Sequence, residues 1–141
     1  MRKVSIYDKI QHLEDAFGED IKYERFIPYI MLHEYEALLF SDVEKFFDNF
    51  GERVAGELHK VVKKVDGNPE LINDSYQTAP SKRIISCCKQ YGKREYEKVT
   101  DGILMAKKVG LSEMRKKCSH FDKWLSRLES LDSVSKVVDG W

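Results

Sequence analysis

The chain has 141 residues, which suits one domain with its own hydrophobic core. Lysine and arginine together number 24, as do aspartate and glutamate, and this balance argues against an overall basic footprint for nucleic acid or membranes. Three cysteines with an adjacent pair argue against a secreted disulfide framework, and no apolar run approaches a membrane span or a signal core, so we expect a cytoplasmic protein with no membrane contact.

Charge is unevenly distributed along the chain. Residues 1–50 hold 6 basic and 11 acidic side chains, whereas residues 82–117 hold 11 basic and 4 acidic ones. Such a split most often reflects solvated helix faces, and the alternative is a basic patch that faces a phosphate-bearing partner.

The first predicted elements are a helix and a strand. A helix is predicted over residues 7–17, with Gly18 as its end. The nearly continuous apolar run 26–31 predicts a strand, and Pro28 favours an edge strand or a bulge. We therefore expect an α/β fold, mostly helical, with a small sheet of two to three strands.

Six further helices are predicted after the strand. They cover residues 34–40, from Ser41 or Asp42 to Phe50, 52–65, 80–91, 100–109 and 112–131, with a main loop at 66–79. Residues 1–131 are expected to form a single, incomplete domain, and residues 132–141 a loose C-terminal tail.

His33, Glu34 and Glu36 stand where the predicted strand ends and a helix begins. Catalytic side chains of α/β folds gather at such strand ends, and oxygen ligands suit Mg²⁺ or Mn²⁺. The alternative is that acidic residues in a first helical turn simply favour the helix dipole.

Lys82 and Arg83 follow Pro80 at the start of a predicted helix. Free backbone N–H groups and two cations at a helix N-terminus can bind phosphate, and Tyr96 and Lys98, which alternate on an extended segment, can add to the same surface. The alternative is a helix that begins with exposed basic side chains.

The three cysteines and His120 do not have the spacing of a zinc site. Cys118 falls on the apolar stripe of its predicted helix, which favours a buried thiol.

Several motifs together resemble a bacterial family of unknown function. The run 25–29 followed by 32–42 is similar to the signature of that family, and stretches similar to its further motifs follow in order at 69–74, 78–83, 96–98 and 118–125. The family is similar to RloB-type, Toprim-like proteins that sit beside AAA or ABC-type ATPases in phage-defence operons.

This resemblance implies the C-terminal part of a Mg²⁺- or Mn²⁺-dependent Toprim-like nuclease subunit that works with an ATPase on nucleic acid. Glu36 and Glu34 would be the metal-binding and catalytic carboxylates, with His33 assisting, and Lys82, Arg83 and Lys98 would bind phosphate. The family's N-terminal carboxylate motifs have no counterpart here, so the chain is not expected to be active alone. The alternative is a non-catalytic module that docks on an ATPase or self-associates through an exposed sheet edge.

Overall fold

In the computed structural model, residues 4–72 and 75–138 are described, with side chains as far as Leu131. The chain divides into two compact units, one ending at Leu32 and the other beginning at His33. Across the described ranges, every helix is too short or too polar to cross a membrane.

The first unit is built on helix α1 (Ile6–Ile21). Ser5 and Asp8 form a capping box, in which the Ser5 hydroxyl accepts from the Asp8 N–H at 3.1 Å and the Asp8 carboxylate accepts from the Ser5 N–H at 3.4 Å. The helix continues past Gly18, where its end was predicted. It ends where Lys22 takes a left-handed conformation, with φ of 49°, and donates its N–H to the Gly18 carbonyl.

Residues 26–31 do not form the predicted strand, and the described part of the chain contains no sheet. Instead, the Ile30 N–H donates to the Glu14 carboxylate of α1 at 3.0 Å, and Pro28 has no N–H to offer a neighbouring strand. The apolar run therefore packs within a helical unit. The α/β, Toprim-like prediction with a small sheet is wrong, because an apolar run can be buried as well against a helix as in a sheet.

The second unit is helical throughout its described residues. Two 3-10 helices cover Tyr35–Lys45 and Pro69–Leu71, and the α-helices are α2 (Phe46–Phe50), α3 (Glu52–Lys64), α4 (Pro80–Tyr91), α5 (Lys98–Lys117) and α6 (Ser119–Val138). The first 3-10 helix is interrupted at Asp42, whose φ of −150° and ψ of 87° are non-helical, which confirms the predicted division at Ser41 or Asp42. The predicted boundaries of α3 and α4 are confirmed to within one residue. Within α5, the backbone at Gly110 is non-helical, with φ of 80° and ψ of 152°, so two helical segments meet there and the predicted break between residues 109 and 112 is confirmed. A second division, at Cys118, was not predicted.

Helix α6 continues through Val138, inside the segment that was predicted to be a loose tail. Residues 139–141 lie outside the described part of the chain, and the predicted domain limits stay a prediction.

The 3-10 helix Tyr35–Lys45 lies at the centre of the second unit and packs against α3, α4 and α5. Leu39 and Phe40 on this helix and Phe46 after it are at most 2% exposed. Burial of each such side chain contributes about 1.5–3 kcal/mol of transfer free energy. Because this segment is fixed in the core, it holds Glu36 in its first turn and Glu34 just before it at a defined place beside α4 and α5.

Candidate functional site

Glu36 is an almost fully buried carboxylate in the first turn of the central 3-10 helix. The residue is 3% exposed, and its carboxylate lies 3.5 Å from the Lys98 ammonium, at the start of α5. The Lys98 side chain is itself 58% exposed. In the described part of the chain, Glu36 accepts no hydrogen bond, so this loose ion pair is its one polar contact.

Glu34 has a different partner, the N-terminus of α4. Its carboxylate accepts a short hydrogen bond from the Ser81 N–H, in the first turn of the helix that Pro80 opens. A carboxylate there satisfies an otherwise orphaned donor and interacts favourably with the helix dipole. The backbone donor that was predicted to bind phosphate is thus engaged by Glu34.

The side chains of Lys82 and Arg83 differ in their exposure to solvent and in their hydrogen bonds. Lys82 is exposed, with its ammonium 5.7 Å from the ring centroid of Tyr76. Arg83 is partly buried and donates through Nε to the Thr78 carbonyl oxygen at 2.7 Å, which fixes the loop before α4. Lys82 is therefore the cation of this motif that faces solvent.

Tyr96 was predicted to share a surface with Lys98, but it is buried at 6% exposure. Its ring packs 6.0 Å from the ring of Phe50, and within residues 4–72 and 75–138 its hydroxyl has no hydrogen-bond partner. Burial, followed by the nearby charge of Glu36, raises the pKa of the hydroxyl, so it stays protonated. A Cβ at Gly102 would approach this hydroxyl to 3.4 Å, so the glycine leaves the phenol its space.

Asp101 and Arg94 form a two-pronged ion pair beside these residues. The guanidinium donates to both carboxylate oxygens, at 2.9 and 2.7 Å, and the Glu97 N–H donates to the same carboxylate at 2.6 Å. The Arg94 hydrogen bonds are the main cause that holds the pKa of Asp101 below its usual range. The sequence did not predict this pair, because it depends on the conformation of the segment between α4 and α5, for which no sequence motif is known.

Glu70 was also missed as a site residue, and it caps α6. Its two carboxylate oxygens accept from the N–H groups of His120 and Phe121, at 3.0 and 3.1 Å. Glu70 lies in the stretch 69–74 that contributed to the family resemblance, and its place in that motif was the available sequence signal. Its burial is known only from the structure.

His33 and the three cysteines, the other residues considered from the sequence, are partly or fully buried. His33 is partly buried at the start of the second unit. All three cysteines are free and buried, which confirms the buried interpretation of Cys118. Burial raises the pKa of Cys87 to about 11, of Cys88 to about 12 and of Cys118 to about 11.

Glu36 and Glu34 differ in how well each could bind a divalent metal ion. Across the described residues, no group of three or more His, Cys, Asp or Glu side chains has the arrangement of a metal site. Mg²⁺ commonly takes one or two protein carboxylates together with water and substrate phosphates. Glu36 fits the part of such a single ligand, whereas Glu34 is committed to α4.

Three motifs that are distant in sequence thus meet in one region. The segment that carries Glu34 and Glu36 contacts the start of α4, next to Lys82, and Lys98 at the start of α5. We refer to Glu34, Glu36, Lys82 and Lys98 as the acidic–lysine cluster.

The acidic–lysine cluster lies within a matched family region. A family model described as Domain of unknown function (DUF4276) matches residues 2–129. No curated protein and no solved structure matches the chain.

Proposed function

The chain belongs to the DUF4276 family, and from the surroundings of Glu36 we propose that it contributes part of the site of a Mg²⁺-dependent nuclease subunit. In this proposal the subunit works with an ATPase in anti-phage defence. The chain supplies one metal-binding carboxylate and two phosphate-binding lysines.

The observation that carries the proposal is the pairing of Glu36, a nearly buried carboxylate, with a lysine that lies largely in solvent. A carboxylate removed from water normally gains several hydrogen bonds or a close, well-fixed cation. Glu36 instead faces a single lysine at 3.5 Å, and that lysine is more than half exposed. A carboxylate with a single, loosely held cation can accept a metal ion as a further partner.

Each member of the acidic–lysine cluster has a distinct proposed role. Glu36 holds Mg²⁺, and Lys98 and Lys82 bind phosphate groups of the nucleic acid. Glu34 positions the start of α4, where its carboxylate already accepts a backbone hydrogen bond. Arg83, bound to the Thr78 carbonyl, positions the loop that precedes Lys82. His33 and Glu34 as assisting catalytic residues stay a prediction.

Bound Mg²⁺ would stabilise the charge that develops on the phosphate during cleavage. One carboxylate is fewer than a two-metal site uses, so substrate phosphates or another chain must complete the coordination. We therefore expect weak Mg²⁺ binding and no robust turnover from this chain alone.

The ATPase partner and the role in phage defence rest on the resemblance to RloB-type proteins. That resemblance was carried by the ordered motifs from residue 25 to residue 125. Because residues 26–31 form no strand, the strand-end position of Glu34 and Glu36 no longer supports the nuclease proposal, which rests on the surroundings of Glu36.

A cleavage assay tests the proposal. Another member of the family with its neighbouring ATPase, and this chain alone, are incubated with DNA and RNA in Mg²⁺ or Mn²⁺. We expect cleavage by the relative that is lost when the residue matching Glu36 is changed to glutamine, and retained when the one matching the exposed Glu95 is changed in the same way. A relative that stays inert with its ATPase present contradicts the nuclease proposal.

A second candidate is a non-catalytic module that self-associates. One face of α1 favours it, because Leu13, Phe17 and Ile21 recur every four residues and are 47%, 51% and 47% exposed. Light scattering on the chain and on a Leu13→Ser, Phe17→Ser double variant tests this candidate. A dimer that the variant converts to a monomer supports it, and a monomeric parent chain contradicts it.

A further inference from the structure

Two adjoining depressions form a groove on the second unit, and no member of the acidic–lysine cluster lines it. The larger has a volume of about 500 Å³ and lies between the end of the central 3-10 helix, α2 and α3. The smaller has a volume of about 370 Å³ and extends toward the C-terminal part of α5. They share Val43, Glu44 and His59, so they form one continuous groove.

The floor of the groove is apolar and open. Phe47 is 48% exposed there, although the neighbouring Phe46 and Phe50 are fully buried. On the facing surface of α3, a Cβ placed on Gly56 would meet nothing within 4 Å. The groove therefore has room beside its aromatic side chain for apolar side chains of a partner.

Acidic side chains predominate on the rim of the groove. Glu44, Asp48 and Glu52 line the larger depression, which has no lysine or arginine among its described lining residues. Asp42 and Glu113 add carboxylates to the smaller depression, where Lys117 is the one cation. This concentration of negative charge on a chain of zero net charge selects a partner of positive charge.

We propose that this groove binds a lysine- and arginine-rich amphipathic helix of a partner protein. Apolar side chains of that helix would pack on Phe47 and over Gly56, and its basic side chains would face Glu44, Asp48 and Glu52. The length of the groove across two depressions and its apolar floor favour a helix over a single cation, and the described residues hold no metal-binding group. The inference is independent of the proposed nuclease site.

Fluorescence anisotropy with model peptides tests the groove. One labelled peptide of about 18 residues, or five turns, carries a leucine stripe with lysines, and its counterpart carries the same stripe with glutamates. We expect the folded chain to bind the lysine peptide at least about tenfold more tightly than the glutamate peptide.

Gly56→Leu is the decisive variant, because it places an apolar side chain on the open floor without a change of charge, and its Cβ meets nothing within 4 Å. We expect it to weaken binding of the lysine peptide about tenfold or more. Glu44→Lys with Asp48→Lys should weaken binding at least as much. Glu19→Lys with Glu95→Lys changes the net charge equally at exposed residues that do not line the groove, and it should leave binding within about twofold.

Equal affinity for the two peptides overturns the proposal. Lysine-peptide binding that Gly56→Leu leaves unchanged also overturns the proposal, because the peptide then does not occupy the groove. Equal weakening by the Glu44→Lys, Asp48→Lys variant and by the Glu19→Lys, Glu95→Lys variant overturns it as well, because it indicates attraction to the whole surface. Circular dichroism and thermal melts of each variant establish that the compared proteins are folded.

Discussion

The Lys98 ammonium lies 3.5 Å from the carboxylate of Glu36, although the two residues belong to motifs far apart in the sequence. Glu36 is buried and therefore fixed by the core, whereas Lys98 is mostly exposed and reaches Glu36 through its flexible side chain. A lysine in this position can leave the carboxylate for a phosphate without disturbing the core. The pair therefore links the fold to the proposed binding of metal and nucleic acid.

A double-mutant cycle on Glu36 and Lys98 measures this interaction. Lys98→Met should lower the free energy of unfolding by about 1 kcal/mol, because it leaves a buried carboxylate without its cation. With Glu36→Gln in the background, the same change should cost less, giving a coupling of about 0.5–1 kcal/mol, since the exposure of Lys98 weakens the attraction. Urea unfolding measures all four proteins, and zero coupling contradicts the pair.

The Asp101–Arg94 pair predicts a pH-dependent stability. The folded-state pKa of Asp101 is lowered from its ordinary value of 3.8, chiefly by hydrogen bonds from Arg94, so the stabilisation is present above about pH 4 and is lost as the pH falls through the folded-state pKa. Asp101→Asn should cost about 1–2 kcal/mol at pH 7, less than a fully buried pair would, because Arg94 is 43% exposed.

The difference between the parent chain and Asp101→Asn should shrink as unfolding is measured at progressively lower pH below 4. Glu57→Gln is the matched control, since its partner Lys60 is 69% exposed and the pair is an ordinary helix-surface contact. A constant difference between the parent chain and Asp101→Asn over the whole pH range would count against the assigned ion pair.

Glu70 predicts a local effect on α6. Glu70→Gln leaves one acceptor oxygen for the two N–H groups of His120 and Phe121, and it removes a negative charge from the helix N-terminus. We expect a loss of about 1–2 kcal/mol and faster hydrogen exchange of these two amides. Unchanged protection of both amides would show that the carboxylate does not cap the helix.

The thiols should be inert in the folded chain. With pKa values of about 11 or 12, Cys87, Cys88 and Cys118 hold almost no thiolate at pH 8, and the thiolate is the reactive form. Iodoacetamide at pH 8 should leave all three unmodified by mass spectrometry, and the same reagent in denaturant should label all three. Rapid labelling of the native chain would show that a thiol is accessible.

The sequence predicted the second unit well where local signals were strong. Pro80 marked the start of α4 and Gly51 preceded α3, because these residues act through backbone geometry that needs no knowledge of the partner. It failed at residues 26–31, where periodicity cannot distinguish a buried strand from an extended segment packed on a helix.

The sequence named the residues of the candidate site, but it did not predict the contacts between them. Glu36 and Lys98 were both named from sequence, and the structure pairs them, but their ion pair depends on how α5 packs on the central 3-10 helix. The capping role of Glu34 depends in the same way on a helix that begins far along the chain. Such long-range contacts are fixed by tertiary packing and are invisible to local spacing.

The central claim is that Glu36 and the lysines near it bind nucleic acid with Mg²⁺, and fluorescence anisotropy of labelled single-stranded DNA and RNA tests it most directly. We predict that Mg²⁺ strengthens oligonucleotide binding by the parent chain, that Glu36→Gln abolishes this dependence, and that Glu95→Gln keeps it. Lys82→Ala and Lys98→Ala should each weaken binding and reduce its dependence on salt by about one phosphate contact. Binding that is absent with Mg²⁺, or a Mg²⁺ dependence that survives Glu36→Gln, would contradict the account.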